Sequence, residues 1–191
     1  MKLRWLIAST LLAALALVCV PTRAQQVGIY ATLSGDRRHV TDFLSSPPAG
    51  SDNTKTNWPF GPTIGFYNDF SHAGPVYLGS DARLEFARGS YSSNALLFGL
   101  RLAAKPIAMP LRPYIQASLG MVHFNTTDLN ASSTNMEYRI AGGVDYTLLP
   151  HIDWRVIEIG GGSIFNYSFG SGTSQGNSLT TYSTGIVFRV R

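Results

Sequence analysis

The sequence predicts an all-β protein: an eight-stranded antiparallel up-and-down transmembrane β-barrel preceded by a cleaved signal peptide. Three observations predict it. The first is a period-2 pattern that confines charge to one parity. Across residues 76–86 one parity reads Val76, Leu78, Ser80, Ala82, Leu84, Phe86, and the other reads Tyr77, Gly79, Asp81, Arg83, Glu85. Across residues 136–146 the split is Met136, Tyr138, Ile140, Gly142, Val144, Tyr146 against Glu137, Arg139, Ala141, Gly143, Asp145. Successive strand side chains point to opposite faces, so each segment has an apolar face and a charged one. The second observation is the leader. Lys2 and Arg4 precede an apolar run over residues 6–20, Pro21 ends it, and Thr22-Arg23-Ala24 reads as a small-residue cleavage site before Gln25. That run is shorter than the ~20 residues a spanning helix needs. The third is the alternation of the connections, long and polar after odd-numbered strands and short or proline-rich after even-numbered ones, as transmembrane barrels show.

Eight strand-like segments follow in order. Residues 26–34 place Val27, Ile29, Ala31 and Leu33 on one parity. Residues 63–70 do so with Ile64, Phe66 and Phe70, and residues 76–87 form the third segment. Residues 94–104 set Leu96, Phe98, Leu100 and Leu102 against Gly99 and Arg101. Residues 112–124 set Pro113, Ile115, Ala117, Leu119 and Met121 against Arg112, Tyr114, Gln116 and Ser118. Residues 135–147 are the sixth and 152–168 the seventh. In the seventh, Arg155 and Glu158 are three apart, which puts them on opposite faces of a regular strand. A bulge near Val156 and Ile157 returns both to one face, with Phe165 and Tyr167 outside and Asn166 inside; without it Glu158 sits near the interface. Residues 179–191 set Tyr182, Thr184, Ile186, Phe188 and Val190 against Ser183, Gly185 and Arg189. The expected loops are 35–62, 88–93, 125–134 and 169–178, and the short turns are 71–75, 105–111 and 148–151.

Composition excludes several classes. The chain holds 15 Lys+Arg against 11 Asp+Glu, but Lys2, Arg4 and Arg23 leave with residues 1–24. What remains, residues 25–191, is one barrel domain close to neutral, so the basic balance carries no nucleic-acid partner. Cys19 is the one cysteine and lies in the leader, with Val18 where a lipoprotein signal needs a small residue. No disulfide or thiolate chemistry is expected. No later apolar run approaches a spanning helix, so a membrane crossing must use a closed sheet.

The charged parity supplies the candidate site: Asp81, Arg83, Glu85, Arg101, Arg112, Glu137, Arg139, Asp145, Arg155 and Arg189, with Glu158 added by the bulge. An eight-stranded barrel is just wide enough for side chains to fill it. Unpaired buried charge is costly, so these groups are expected to pair and plug the lumen. A narrow ion path is the competing role. Of the histidines, His39, His72, His123 and His151 have no metal-ligand spacing. His123 falls at a loop rim with Ser118 lower on the same strand. Two aromatic girdles are expected, Trp58, Phe60, Tyr91, Phe124, Tyr167, Phe169 and Tyr182 near the long loops, Phe70, Tyr146, Trp154 and Phe188 near the turns. Substitutions that face the lumen, Gly143→Ser and Gln116→Glu, are expected to be milder than Ile140→Arg or Leu100→Arg on the lipid face.

The segments PYIQASLG (113–120), AGGVDYTLLPHIDWRVIEI (141–159) and STGIVFRVR (183–191) resemble the last four strands of small bacterial outer-membrane barrels of the OmpA/OmpX-like superfamily. The resemblance covers roughly residues 26–191. It implies insertion into outer-membrane lipid by the barrel-assembly machinery. The even strand number places both termini on the short-turn, periplasmic side, and no cofactor motif appears, so no cofactor is expected. Such barrels often end in an aromatic residue; here Arg191 is last and Phe188 lies three before it. The resemblance also implies that the chain ends where the barrel ends, without a peptidoglycan-binding domain. The expected role is structural or surface-interacting, without catalysis, through loops 35–62, 125–134 and 169–178. The runner-up is a secreted lipocalin-type carrier, whose interior would be apolar and exterior charged. An outer-membrane enzyme acting on lipid A is the third reading.

Overall fold

The computed structural model describes residues 26–41, 54–89, 92–106, 109–126, 131–165 and 176–190. The strands are β1 (Gln26–Thr41), β2 (Thr54–Asn57), β3 (Phe60–Ala73), β4 (Val76–Ala87), β5 (Ser92–Ala104), β6 (Leu111–Thr126), β7 (Ala131–Leu149), β8 (Ile152–Phe165) and β9 (Gly176–Val190). Each pairs antiparallel with its neighbour, and β1 also pairs with β9, from Val27↔Val190 to Arg38↔Leu179. That pairing closes the sheet. β2 continues the line of β3 along β1, with Arg38↔Asn57 beyond Gly35↔Phe60. The break falls at Trp58 and Pro59; Pro59 has no N–H to give, and its carbonyl accepts from Asp36 N at 2.9 Å. Among the described residues the barrel therefore has eight staves. Closure pairs the backbone without leaving an edge, as a sheet in lipid requires.

One end of the barrel holds Gln26, Val190 and the turns; the other holds the connections 42–53, 90–91, 127–130 and 166–175. The turns are tight for local reasons. Gly74 adopts φ 59°, with Pro75 completing a two-residue reversal between Ala73 and Val76. Pro150 and His151 reverse the chain between Leu149 and Ile152.

The strands outrun the expected segments, chiefly at the loop end. Residues 35–41, 60–62, 125–126, 131–134 and 176–178, expected as loop, continue the ladders. There the sequence turns to Arg, Thr, Ser and Asn. The apolar alternation ends where both faces are polar, but hydrogen bonding does not. The expected signal peptide, the tips of loops 35–62, 125–134 and 169–178, and Tyr91, Asn166, Tyr167 and Phe169 lie outside the described residues.

The two faces are sorted as the parity predicts. Leu100 is 60 % exposed and Leu119 61 %, on the outer wall, with Ile29, Ile64, Phe98, Ile115 and Ile140 also outward. Every carboxylate of the described residues is buried inside. This is the inverse of a carrier with an apolar cup. Phe70, Tyr146, Trp154 and Phe188 stand exposed toward the turn end, and Trp58, Phe60 and Tyr182 toward the loop end. Phe124 departs from its expected place: it lies on the inward parity of β6 and packs on Ala95, Val122 and Ile164.

Candidate functional site

The lumen is built from one inward row per strand. β8 contributes Arg155 and Glu158 together because its register slips between them against both neighbours. The bulge at Val156 and Ile157 thus exists, and Phe165 faces outward, stacked on Tyr138 at 5.2 Å. The Arg155 carbonyl at the bulge accepts from Thr184 Oγ1 at 2.9 Å. A side chain thereby satisfies backbone that the bulge takes out of the ladder.

Glu158 is the hub of the resulting network. Arg83 donates to it at 2.7 and 3.3 Å, Tyr114 Oη at 2.6 Å and Arg155 at 3.4 Å. Arg155 also donates to Asp145 at 2.9 Å, and Arg101 donates to Asp145 at 3.0 Å. Arg83 reaches Asp81 at 3.1 Å, and Tyr30 Oη donates to the other oxygen of Asp81 at 2.8 Å. Toward the loop end, Arg139 forks onto Glu85 at 2.5 and 2.9 Å and also binds Glu137. Bidentate arginine–carboxylate geometry is the strongest available pairing for buried charge. Toward the turn end the pairs are separate. Asp153 lies 2.7 Å from Arg189 and 3.6 Å from Arg112. Lys105 binds Asp69 at 2.6 Å and also Gln26. All ten expected lumen residues face inward, and Arg83, 4.0 Å from Glu85, links the two groups so that eight of the ten join one chain of charge.

Three tyrosines complete the lumen; the parity reading put Tyr114 on the charged side but gave none of the three a role. Arg101 sits 4.0 Å from the ring centroids of both Tyr67 and Tyr114. Arg155 is 4.8 Å from Tyr114 and 4.3 Å from Tyr30, and Arg83 is 5.7 Å from Tyr30. The order Tyr67–Arg101–Tyr114–Arg155–Tyr30–Arg83 is an alternating stack drawn from six strands. Nε and Nη1 of Arg101, which lack hydrogen-bond partners, lie between two ring faces, where cation–π attraction replaces hydrogen bonds. Each tyrosine lies over a glycine. A Cβ on Gly28 would come within 2.3 Å of Tyr67, on Gly65 within 2.4 Å of Tyr30, and on Gly143 within 2.5 Å of Tyr114. Gly143 is therefore not a tolerant lumen position, contrary to expectation. The signal was present as Gly28-x-Tyr30 and Gly65-x-Tyr67 on the charge-bearing parity.

Apolar groups close the loop end of the lumen. Ala95, Val122, Ile164 and Phe124 cluster there, with Leu97 and Leu179 also buried inward. The interior is thus charged in the middle and apolar toward the loops. The histidines are dispersed. His72 stacks on Tyr77, His151 Nδ1 meets the Arg189 carbonyl, and His123 Nδ1 hydrogen-bonds Thr134 Oγ1 at 2.9 Å. His39 pairs with Thr56 in the β1–β2 ladder. Ser118 is buried in the lumen while His123 is on the outward parity, so the two do not meet. Among the described residues no group of three metal-ligating side chains converges.

No family model matches the chain, and no curated protein matches it. Solved structures do. The crystal structure of Neisserial surface protein A matches at a TM-score of 0.56 and 14 % identity, over 85 % of this chain and 96 % of that one. The fold is that of a small outer-membrane β-barrel. Two others are similar at lower scores. Ail of Yersinia pestis gives 0.45 at 12 % identity, covering 86 % of this chain and 98 % of that one. The N-terminal barrel domain of Pseudomonas aeruginosa OprF gives 0.46 at 13 % identity, covering 85 % and 97 %.

Proposed function

We propose that this barrel resides in the outer membrane of a Gram-negative-type bacterium, with both termini periplasmic and the loop end outside the cell. Its role is structural or surface-interacting, without catalysis. The observation that carries this reading is the sorting of the two faces. The outer wall is an apolar surface, and the inner wall is a network of paired charges with an apolar layer toward the loops. A wall of exposed leucine and isoleucine is unfavourable in water and favourable in lipid. A lumen of paired arginine and carboxylate closes the route through the barrel. The connecting segments at the loop end are then the parts free to meet an extracellular partner, held on a rigid scaffold as binding loops commonly are.

Membrane fractionation with a gel-migration assay tests this. The protein should partition with the outer membrane and migrate faster unheated than boiled. Recovery as a soluble periplasmic or secreted protein would overturn the reading.

A further inference from the structure

We propose that a collar on the outer wall at the loop end docks the phosphate-bearing headgroup of an outer-leaflet glycolipid of the lipid A type; this rests on the orientation proposed above. The collar comprises Arg37, Trp58, Phe60, Arg88, Asn94 and His123.

Charge asymmetry is the first support. All eight carboxylates of the described residues are turned into the barrel. Arg37 and Arg88 are instead exposed, and both stand at the loop end of the outer wall. The described outer wall therefore carries positive charge at one level and no negative charge anywhere.

The level itself is the second support. Leu96, Met121 and Met136 lie side by side across β5, β6 and β7, all exposed and apolar. One outward step toward the loops, the same three strands carry Asn94, His123 and Thr134, again side by side. The wall changes from hydrocarbon-facing to hydrogen-bonding within two residues, which is where acyl chains give way to headgroups. Arg88 is tied to this row through Asn94 Oδ1 at 3.0 Å. Its backbone pairs with Phe60 through two hydrogen bonds of 2.8 and 2.9 Å, so the Phe60 ring borders it on the same face. Arg37 lies 5.7 Å from the Trp58 ring centroid. Both cations are thus set beside interfacial aromatics on the exposed outer wall, and Arg88 Nη1 also donates to the Ala87 carbonyl at 3.2 Å. Guanidinium presents a planar fork that matches phosphate oxygens, and basic side chains at this depth attract anionic headgroups.

The test uses the folded barrel in a non-ionic detergent. Bisphosphorylated lipid A, its dephosphorylated form and phosphatidylglycerol are titrated separately, and lipid retained per barrel is measured. The phosphorylated form should bind, and binding should weaken about thirtyfold in Arg37→Gln/Arg88→Gln, the value for two basic side chains at an anionic surface. Heat-modifiable migration of the double variant should be unchanged. Equal binding of the phosphorylated and dephosphorylated forms to the unaltered protein would overturn the proposal without any variant, and unchanged binding by a folded double variant would do the same. Phosphatidylglycerol binding as tightly as lipid A would overturn the glycolipid assignment. Fractionation reports separately on the outer-membrane reading, so failure of one is not read as failure of the other.

Discussion

Glu158 holds Arg83, Arg155 and Tyr114 at once, so it is the position where one charge matters most. Glu158→Gln removes the negative charge and leaves two arginines facing each other without it. Breaking a buried pair from one side costs about 3–5 kcal/mol, and a loss of that size is expected in urea unfolding of the refolded barrel. A change below about 1 kcal/mol would mean that solvent screens the lumen, as it does exposed pairs. Gly143→Ser should be damaging too. Its new Cβ meets Tyr114 at 2.5 Å and the Ile157 carbonyl at 2.9 Å, and the second is backbone that cannot swing away. Gln116→Glu is the contrasting case. Gln116 stands opposite Arg101, whose Nε and Nη1 lack hydrogen-bond acceptors, so an added carboxylate has a cation to meet. Its unfolding midpoint should match or exceed that of the unaltered protein.

At the scale of the strand, two substitution sets separate the faces. Ile140→Arg and Leu100→Arg put charge on exposed apolar positions of β7 and β5, which near mid-membrane costs about 2–4 kcal/mol. Both should lower the yield of heat-modifiable barrel, and yields equal to that of Gln116→Glu would refute the assignment of faces. The β8 bulge makes a different prediction. Deleting Val156 leaves Arg155 opposite Asp145, Ile157 opposite Val144 and Glu158 opposite Gly143, a regular ladder with both charges still inward. That deletion should fold, whereas deleting Ile159 inverts every side chain beyond it and should not; gel migration of the two checks this. The bulge was legible because Arg155 and Glu158 violate the parity that Asp81, Arg83 and Glu85 keep on β4 and Glu137, Arg139 and Asp145 keep on β7. The added strand length was not. Beyond the apolar zone, Thr, Ser and Asn alternate without contrast, and nothing in residues 35–41 or 131–134 distinguishes a paired strand from a loop. Phe124 was misplaced for a related reason. Aromatics near a rim suit a girdle or a lumen cap equally, and its inward parity decided for the cap.

The whole molecule joins two solvents to one sheet. The lumen charges were legible because charge on a single parity admits few explanations. The tyrosines between them were legible only in part: parity turns Tyr30, Tyr67 and Tyr114 inward, but only closure of β1 on β9 brings six strands into one stack. That stack and the apolar layer of Val122, Ile164 and Phe124 lie inside a cylinder of eight staves, a width that side chains suffice to fill. On the reading proposed above, a lumen packed in this way leaves no aqueous path, because opening it would uncover buried charge. Planar-bilayer recording of the purified, folded barrel tests this most directly. It should show no stable conductance steps above the bare-membrane baseline; large, reproducible steps would mean that the lumen is open and that the plugged barrel is wrong.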